Sequence, residues 1–392
     1  MKRINFYKPT LFVATLALTT MSFAQDENLV QNGSFEQVAG KPKKAGAIAT
    51  ATGWLVPTGQ AADLYVPAAK VPDISTPENV NGMEEPQDGR NYAGIVAYSY
   101  NDKEPRSYLM TKLVQPLKKG STYCVTFYAS LAETSKYAVD AIGANFSKKL
   151  YETQAKSSLI DKTHIQRGDK VALNGLYGWD KICGIFTAEG GEKYITIGNF
   201  TNNNQIIVDK MRKPKYFKGT QRIAAYYYID DVSVKLVSDK GQCDCSTMKD
   251  EETTSKLVYQ KVTTLTDKMT PEQRVEAQTV YFAYGKYDLT NEGKASLDEI
   301  VKYMKTSAKT LEIQGHLDDK EVAKASSNPL FGELGDARAE TIMEYLIEKG
   351  VNKARIVTVN KSNSVQNAEV SSSDDDEIKD AKTRRATFVI KE

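Results

Sequence analysis

The chain of 392 residues is poor in the side chains that build metal centres and many catalytic sites, with two histidines, four cysteines and two tryptophans. The histidines, His164 and His316, are far apart in sequence and accompany no nucleophile motif such as Gly-x-Ser-x-Gly. No pattern distinguishes Glu133 or Asp140 from surface acids. We therefore expect that the protein is not an enzyme. A glycan-processing enzyme is the least favoured alternative.

An excess of charge of one sign is also missing, since 52 Lys and Arg residues face 50 acids. Residues 1–24 have the three parts of a secretory signal: a basic start, an apolar run at 11–21 and small residues before a cleavage point after Ala24. An uncleaved anchor helix is the alternative. Removal of this signal leaves 49 basic and 50 acidic residues, so bulk charge does not indicate binding to nucleic acid.

Long apolar runs are absent after the signal, because no later stretch approaches the roughly 18 apolar residues of a membrane-spanning helix. No cysteine follows Ala24, as a lipoprotein signal would require. These two absences indicate an exported protein without a second hydrophobic anchor.

The four cysteines of an exported chain are compatible with two disulfides, for which three pairings exist. Cys124 and Cys183 both lie in strand-like runs, so a bridge between them is plausible. Cys243 and Cys245 could close a tight ring or pair elsewhere. Metal binding by this Cys-x-Cys is less favoured, because neither histidine is near it in sequence.

Residues 28–237 contain short runs rich in β-branched and aromatic residues, separated by turn signals, and no helical periodicity competes with them. We predict eight or more strands in an antiparallel sandwich. The clearest runs are 93–100, 123–130, 182–188, 194–200 and 226–234. The polar segment 238–278 is the predicted connection, and within it residues 256–265 fit either a strand or a helix.

After residue 278 strands and helices alternate, which predicts a two-layer α+β domain of order βαβα-ββ. The predicted strands are 279–284, 310–315, 355–360 and 385–390, and the predicted helices are 290–306 and 334–349. Gly350 is the expected stop of the second helix.

Five motifs in this part of the chain resemble, in order, those of the OmpA-like peptidoglycan-binding domain. They are the strand and Lys-Tyr-Asp-Leu at 281–289, Gly-His-Leu-Asp at 315–318, Leu-Gly-Asp-Ala-Arg-Ala at 334–339, the turn at 349–356 and Thr-Arg-Arg at 383–385. The resemblance implies that residues 279–392 adopt this fold and bind peptidoglycan non-covalently.

The ligand of that family is the diaminopimelate of the peptidoglycan stem peptide, whose side-chain end carries an amine and a carboxylate. The resemblance implies that Asp318 and Arg338 supply the acid and the base of the pocket, and that Arg384 orients the rim or touches the ligand. The fork of an arginine can hold a carboxylate through two hydrogen bonds, and a helix N-terminus adds donors. The alternative is that Asp318 caps or bridges locally and Arg338 forms an ordinary ion pair on a helix surface.

The sequence departs from the family pattern near this site. Leu317 stands for a threonine, and Phe331 and Gly335 stand where the family favours asparagine and serine. The acid and the base of the pocket are 20 residues apart, which is more than in the family. We therefore expect a remodelled loop at 320–333. A second loop, 362–382, carries a run of four acidic residues that we expect to be a solvated face.

The first domain resembles galactose-binding-like jelly rolls, which include many carbohydrate-binding modules. The motifs at 28–36 and 228–234 are similar to the first and last strands of that fold, and 178–200 is similar to modules in exported proteins of Bacteroidota. The resemblance implies an all-β jelly-roll sandwich over 25–237, with poor specificity for a ligand.

Two kinds of site follow from that resemblance. A structural calcium ion often joins the first and last strands, and Glu36 with Asp230 or Asp231 could hold it; otherwise the aspartates end the strand ladder with turn hydrogen bonds. No other cofactor is expected.

Sugar binding would use exposed aromatic rings, although alternating aromatics in strands are more often core. The candidates are Trp54, Tyr65, Tyr92, Tyr98, Tyr100 and Trp179.

Taken together, these expectations describe a periplasmic envelope protein associated with the cell wall and the outer membrane. Residues 279–392 would bind peptidoglycan, and the jelly roll would be presented to an outer-membrane protein complex or a glycan. The alternative is a scaffold subunit of an outer-membrane complex, in which the wall-binding module is degenerate and serves protein contacts.

Overall fold

The computed structural model describes residues 27–392 except 68, 70, 169, 177, 215–218, 244, 246–257, 259–265, 267, 288 and 327. The expected signal peptide and nearly all of the undecided segment 256–265 lie outside the described residues.

The described part of the first domain is built almost entirely of strands. They are β1 (Trp54–Leu55), β2 (Asp63–Pro67), β3 (Ser75–Thr76), β4 (Glu78–Asn79), β5 (Gly82–Met83), β6 (Tyr92–Ser99), β7 (Leu109–Lys112), β8 (Thr122–Leu131), β9 (Tyr137–Val139), β10 (Gly143–Ser147), β11 (Ile165–Gln166), β12 (Asp180–Thr187), β13 (Tyr194–Gly198), β14 (Val208–Lys210) and β15 (Ala224–Val237).

Two sheets form the sandwich. One has five strands in the order β1-β7-β13-β10-β11, and the other has six in the order β12-β8-β15-β6-β2-β3. Among the described residues, the strand pairings within these sheets are antiparallel except that of β2 with β3. The predicted sandwich is therefore present, with its clearest strands where the β-branched and aromatic runs indicated.

Strand β15 shows how the alternating sequence builds this domain. Because successive side chains of a strand point to opposite faces, Tyr227 and Ile229 enter the core between the sheets. Tyr226 and Tyr228 point to the other face of the same sheet, where they form a second buried cluster with Tyr65 and other side chains. The strand is thus buried on both faces over this stretch.

The second domain has four strands and five helices among its described residues and the segment just before it. They are α1 (Pro271–Glu276), β16 (Thr279–Tyr281), α2 (Asn291–Thr306), β17 (Thr310–His316), α3 (Asp319–Lys324), α4 (Leu330–Glu348), β18 (Ile356–Ser362), α5 (Asp376–Thr383) and β19 (Arg385–Lys391). The sheet order is β16-β19-β17-β18, with β17 and β18 parallel.

Helices α2 and α4 cover the sheet of the second domain with their apolar faces. Leu297 and Ile300 of α2 and Ile342 of α4 are fully buried in one cluster with Ile313 of β17 and Phe388 of β19. This is the two-layer arrangement that the spacing of apolar residues predicted.

Three short helices were not predicted, and two of them correct specific expectations. The loop expected at 320–333 contains α3, and the loop at 362–382 contains α5. Asp375 caps α5 by accepting a hydrogen bond from the amide of Ile378, and Asp374 pairs with Lys382. The acidic run is therefore a helix N-terminus, where negative charge is favourable, and not merely a solvated face.

The two domains share one apolar cluster. Leu317, Phe331 and Leu334 of the second domain are buried in the same cluster as Leu173 and Leu176 of the first. The second domain is therefore packed against the sandwich through side chains that are shielded from water.

Polar contacts add to this apolar contact between the domains. The ammonium group of Lys286 lies 2.9 Å from both carboxylate oxygens of Asp180, and Arg212 pairs with Glu344 of α4. These bridges join basic and acidic side chains across the same contact.

Candidate functional site: two acid–arginine pairs at the end of β17

Asp318 lies just past the end of β17 and begins α3. Its Oδ1 accepts a hydrogen bond from the amide of Glu321 at 2.6 Å, and the carboxylate of Glu321 reaches back to the amide of Asp318 at 3.4 Å. This reciprocal pair is a capping box, which an Asp-x-x-Glu sequence favours at a helix start. The local sequence therefore places both carboxylates at the same edge of the sheet.

Arg338 lies in α4 and is completely buried. Its Nη1 and Nη2 donate to the two carboxylate oxygens of Glu321 at 2.8 and 2.7 Å. Its remaining donors reach backbone carbonyl oxygens of Lys286, His316 and Ala283 at 2.9, 2.7 and 3.3 Å. All five N–H groups of the guanidinium are therefore used inside the fold.

Arg384 immediately precedes β19 and pairs with Asp318. Its Nη1 lies 2.5 Å from Oδ2 of Asp318, and its guanidinium carbon lies 5.9 Å from the ring centre of Tyr284. Arg384 is 5% exposed and Asp318 is 1% exposed. The pair is therefore shielded from water, while the ring of Tyr284 is 43% exposed at the surface beside it.

The structure thus brings the three predicted pocket residues together, but in a different pairing. Asp318 pairs with Arg384, and Arg338 pairs with Glu321, which the sequence analysis did not include among the site residues. The signal that could have identified Glu321 is the capping-box spacing from Asp318. Asp318 does cap a helix, as the alternative interpretation expected. Arg338 is buried and does not form the ion pair on a helix surface that this interpretation also expected.

Burial and neighbouring charge set the protonation of this site. Burial raises the pKa of Asp318, nearby Glu321 raises it further, and Arg384 opposes the change. Burial together with surrounding cations lowers the pKa of His316 to about 3. The imidazole of His316 is therefore uncharged near neutral pH, and the cations of the site are the two arginines.

Two departures from the family pattern lie at the contact between the domains. Leu317 and Phe331 are 1% and 0% exposed and belong to the shared apolar cluster. A methyl group added at Gly178 of the first domain would lie 3.8 Å from the ring of Phe331. Polar side chains at these two positions would be buried against apolar neighbours, so the departures fit the packing of the sandwich onto this domain.

The third departure, Gly335, permits a close approach of α4 to the sheet. A side chain at Gly335 would collide with Asn360 of β18, and one at Gly315 of β17 would collide with the backbone of Gly335. The small residues therefore bring the helix that carries Arg338 directly against the end of β17.

Glu36, a predicted calcium ligand, is engaged by the backbone. Its Oε1 accepts hydrogen bonds from the amides of Arg90 and Asn91, each at 2.7 Å. This carboxylate holds the segment that leads into β6.

Asp230 holds the neighbouring part of the same segment. Its Oδ2 accepts from the amides of Gln87 and Asp88 at 3.0 and 3.1 Å, and its Oδ1 accepts from the amide of Asp231 at 2.7 Å. Burial raises the pKa of Asp230 to about 8. Among the described residues, the four cysteines are the only group of three or more His, Cys, Asp or Glu side chains close enough together to hold a metal. Glu36 and Asp230 thus accept hydrogen bonds from backbone amides, which is the arrangement expected under the alternative to a calcium site.

The cysteines pair differently from the expected bridge between Cys124 and Cys183. The disulfides join Cys124 to Cys243 and Cys183 to Cys245. Cys124 and Cys183 lie on the paired strands β8 and β12, and each binds one cysteine of the segment that follows β15. The start of the connection is thereby fastened to the sandwich at two points.

Three of the six candidate sugar-binding rings are core residues, and Tyr98 is partly buried. Trp54, Tyr65 and Tyr92 are at most 2% exposed, whereas Tyr100 is 48% exposed. Trp179 is partly buried and donates to the carbonyl oxygen of Glu85 at 2.8 Å. Alternating aromatics in these strands therefore follow the usual pattern and pack inside the domain.

Residues 281–381 match the OmpA family. The chain is 31% identical over 81 residues to a peptidoglycan-associated lipoprotein of Pseudomonas aeruginosa and 33% identical over 82 residues to one of Haemophilus influenzae. Each alignment covers 21% of this chain and about half of the relative, 45% and 50% respectively.

Among the described residues, no helix is both long and apolar enough to cross a membrane.

Solved structures are similar to about 30% of the chain. The crystal structure of the peptidoglycan-associated lipoprotein from Burkholderia pseudomallei shares 25% identity, with 31% of this chain and 96% of that chain covered and a TM-score of 0.26. The cell wall anchor of the T6SS from Pseudomonas aeruginosa shares 18% identity, with 29% and 80% covered and a TM-score of 0.24. The C-terminal part of the chain, residues 281–381, is a domain of the OmpA family.

Proposed function

We propose that residues 279–392 bind peptidoglycan non-covalently and recognise the diaminopimelate of its stem peptide. The observation that supports this most is the convergence of Asp318, Arg338 and Arg384 at one edge of an OmpA family domain. An acid and an arginine side by side match the amine and the carboxylate of such a ligand. Two curated relatives named peptidoglycan-associated lipoprotein support the same proposal.

We also propose that the first domain, folded as a jelly roll, is presented to an outer-membrane protein complex or a glycan. Peptidoglycan lies in the periplasm, so both domains would lie on that side of the outer membrane. Protease added to intact cells should then leave the first domain uncut, and cleavage there would contradict the placement. Incubation with a panel of polysaccharides should release no reducing ends if the protein is a binder and not an enzyme.

A scaffold role with a degenerate wall-binding module is the second candidate. The observation that favours it is that Arg338 is fully buried and has every donor engaged within the fold. In that case Arg338 stabilises the domain, and the surface that binds peptidoglycan in the family serves protein contacts here.

Sedimentation with purified sacculi distinguishes the two candidates. Asp318→Asn keeps the size and the capping ability of the side chain but removes its charge, so we expect it to co-sediment much less than the wild type. Asp319→Asn, at the exposed neighbouring position, is the matched control and should co-sediment normally. Equal co-sedimentation of the Asp318→Asn variant and the wild type, or no binding by the wild type, would contradict peptidoglycan binding through this pocket.

A further inference from the structure

The carboxylate of Glu321 contacts Arg338 in the way that a bound ligand's carboxylate would. Two parallel N–H···O bonds of 2.8 and 2.7 Å join the two groups, and both side chains are 0% exposed. Such a two-bond arrangement between an arginine fork and a carboxylate is strong and directional. The place beside Arg338 is therefore already filled from within the chain.

Two further contacts hold Glu321 in this position. Its Oε1 also accepts a hydrogen bond from the amide of Gly285 at 2.9 Å, and its own amide donates to Asp318 as part of the capping box. The residue belongs to α3, which lies within the longer segment between Asp318 and Arg338. The extra length of this segment accommodates the short helix that supplies the carboxylate.

A second carboxylate cannot bind Arg338 at the same time, because the arginine has five donors and all five are engaged. Three of its bonds go to backbone carbonyl oxygens that the fold holds in place. The two bonds to Glu321 are the ones that an incoming carboxylate can replace without loss of charge pairing.

We propose that Glu321 is an internal competitor for Arg338, which occupies the position of the carboxylate of a peptidoglycan peptide and must be displaced when the wall binds. This inference rests on the proposed function. It makes Glu321 a residue that lowers the affinity of the pocket and restricts it to ligands able to replace both hydrogen bonds.

The first arm of the test uses a small carboxylate and no peptidoglycan. Thermal unfolding of the full chain carrying Glu321→Ala is compared in sodium acetate and in sodium chloride at equal ionic strength. Acetate should raise the melting temperature of this variant by several degrees, because it fills the vacated place beside Arg338. It should leave the wild type and the exposed-site control Asp319→Ala unchanged.

The second arm measures co-sedimentation with purified sacculi. Removal of the competitor should tighten binding about tenfold or more, since a charge-assisted two-bond contact no longer has to be broken. Glu321→Gln, which keeps the shape of the side chain, should bind more tightly than the wild type as well. It serves as the second variant if Glu321→Ala fails to fold even in acetate.

The two arms separate the failure of this inference from that of the proposed function. If acetate stabilises Glu321→Ala no more than Asp319→Ala, or if sacculi bind the Glu321 variants no more tightly than a binding wild type, the inference is overturned. If acetate rescues the variant but neither the wild type nor any variant binds sacculi, the proposed function fails, while the competition between Glu321 and a free carboxylate for Arg338 stands.

Discussion

The two domains bury acidic side chains in opposite ways. In the second domain Asp318 and Glu321 each face an arginine within hydrogen-bonding distance. In the first domain Glu84, Glu133 and Asp230 are equally buried, yet their hydrogen-bond partners are a serine hydroxyl and backbone amides. The two acids of the second domain are therefore held in charge pairs, whereas these three acids of the first domain accept hydrogen bonds from uncharged donors.

Burial also changes the protonation of the three acids of the first domain. Burial raises the pKa of Glu84 to about 7 and that of Asp230 to about 8, and it raises the pKa of Glu133 well above its usual value. Protonation removes the charge that burial would otherwise penalise. The buried acids of the first domain thus act as structural groups, whereas those of the second domain are held in charge pairs with arginines.

The largest expected effect comes from breaking a charge pair in the second domain. Arg338→Met leaves Glu321 buried without its partner, which should lower the free energy of unfolding by about 3–5 kcal/mol. Urea unfolding of the full chain at pH 7 measures it. The double variant Arg338→Met with Glu321→Leu should regain most of the loss, because both buried charges are then gone.

Recovery by the double variant is the decisive control for that prediction. A single variant as stable as the wild type would show that Glu321 does not need its arginine, and the contrast between the two domains would disappear.

The next effect concerns the disulfides, which join two strands of the first domain to the segment that follows it. Replacement of Cys124 and Cys243 by serine opens a loop closed over a sequence separation of 119 residues, and we expect a loss of about 2–4 kcal/mol of stability. Peptide mapping under non-reducing conditions should recover Cys124 linked to Cys243 and Cys183 linked to Cys245. A peptide pair linking Cys124 to Cys183 would contradict the structure.

The smallest effect is a dependence on pH that arises from the protonated acids. A carboxyl group whose pKa is raised by folding binds more protons in the folded state, so stability falls as pH rises from the unfolded pKa towards the folded one. For Glu84 this window runs from about 4.5 to about 7. Relative to the wild type, Glu84→Gln should therefore gain about 2–3 kcal/mol between pH 5 and pH 8, since one pKa unit corresponds to about 1.4 kcal/mol.

Urea unfolding at the two pH values measures this change, and Glu78→Gln at a nearby exposed position is the control. If Glu84→Gln and Glu78→Gln show the same pH dependence as the wild type, Glu84 is not a buried protonated acid, and the contrast with the second domain is weakened.

Much of the architecture was predictable from local patterns. Apolar spacing predicted helices α2 and α4 and the four strands of the second domain, and β-branched runs predicted the main strands of the sandwich. These patterns depend on neighbours within a few residues. Helix α3 was missed because its main signal, the capping box between Asp318 and Glu321, is short and lies in a segment without apolar periodicity.

The pairing of side chains was much less predictable. Glu133 cannot be distinguished from a surface acid in the sequence, but the segment that carries Gly82 and Met83 covers it and leaves it 1% exposed. The cysteine pairs join strands β8 and β12 to a segment distant in sequence. Such outcomes depend on which parts of the chain meet in space.

The sequence by itself determined the main strands, the two long helices of the second domain, the OmpA-like motifs and the presence of Asp318, Arg338 and Arg384, because these follow from local spacing and residue type. Only the tertiary structure decided that Arg338 binds Glu321, that Asp318 binds Arg384 and that the sandwich covers Phe331. The physical reason is that a buried charge is stabilised by whichever partner the packing brings within about 3 Å, and that distance is set by contacts between residues far apart in the chain.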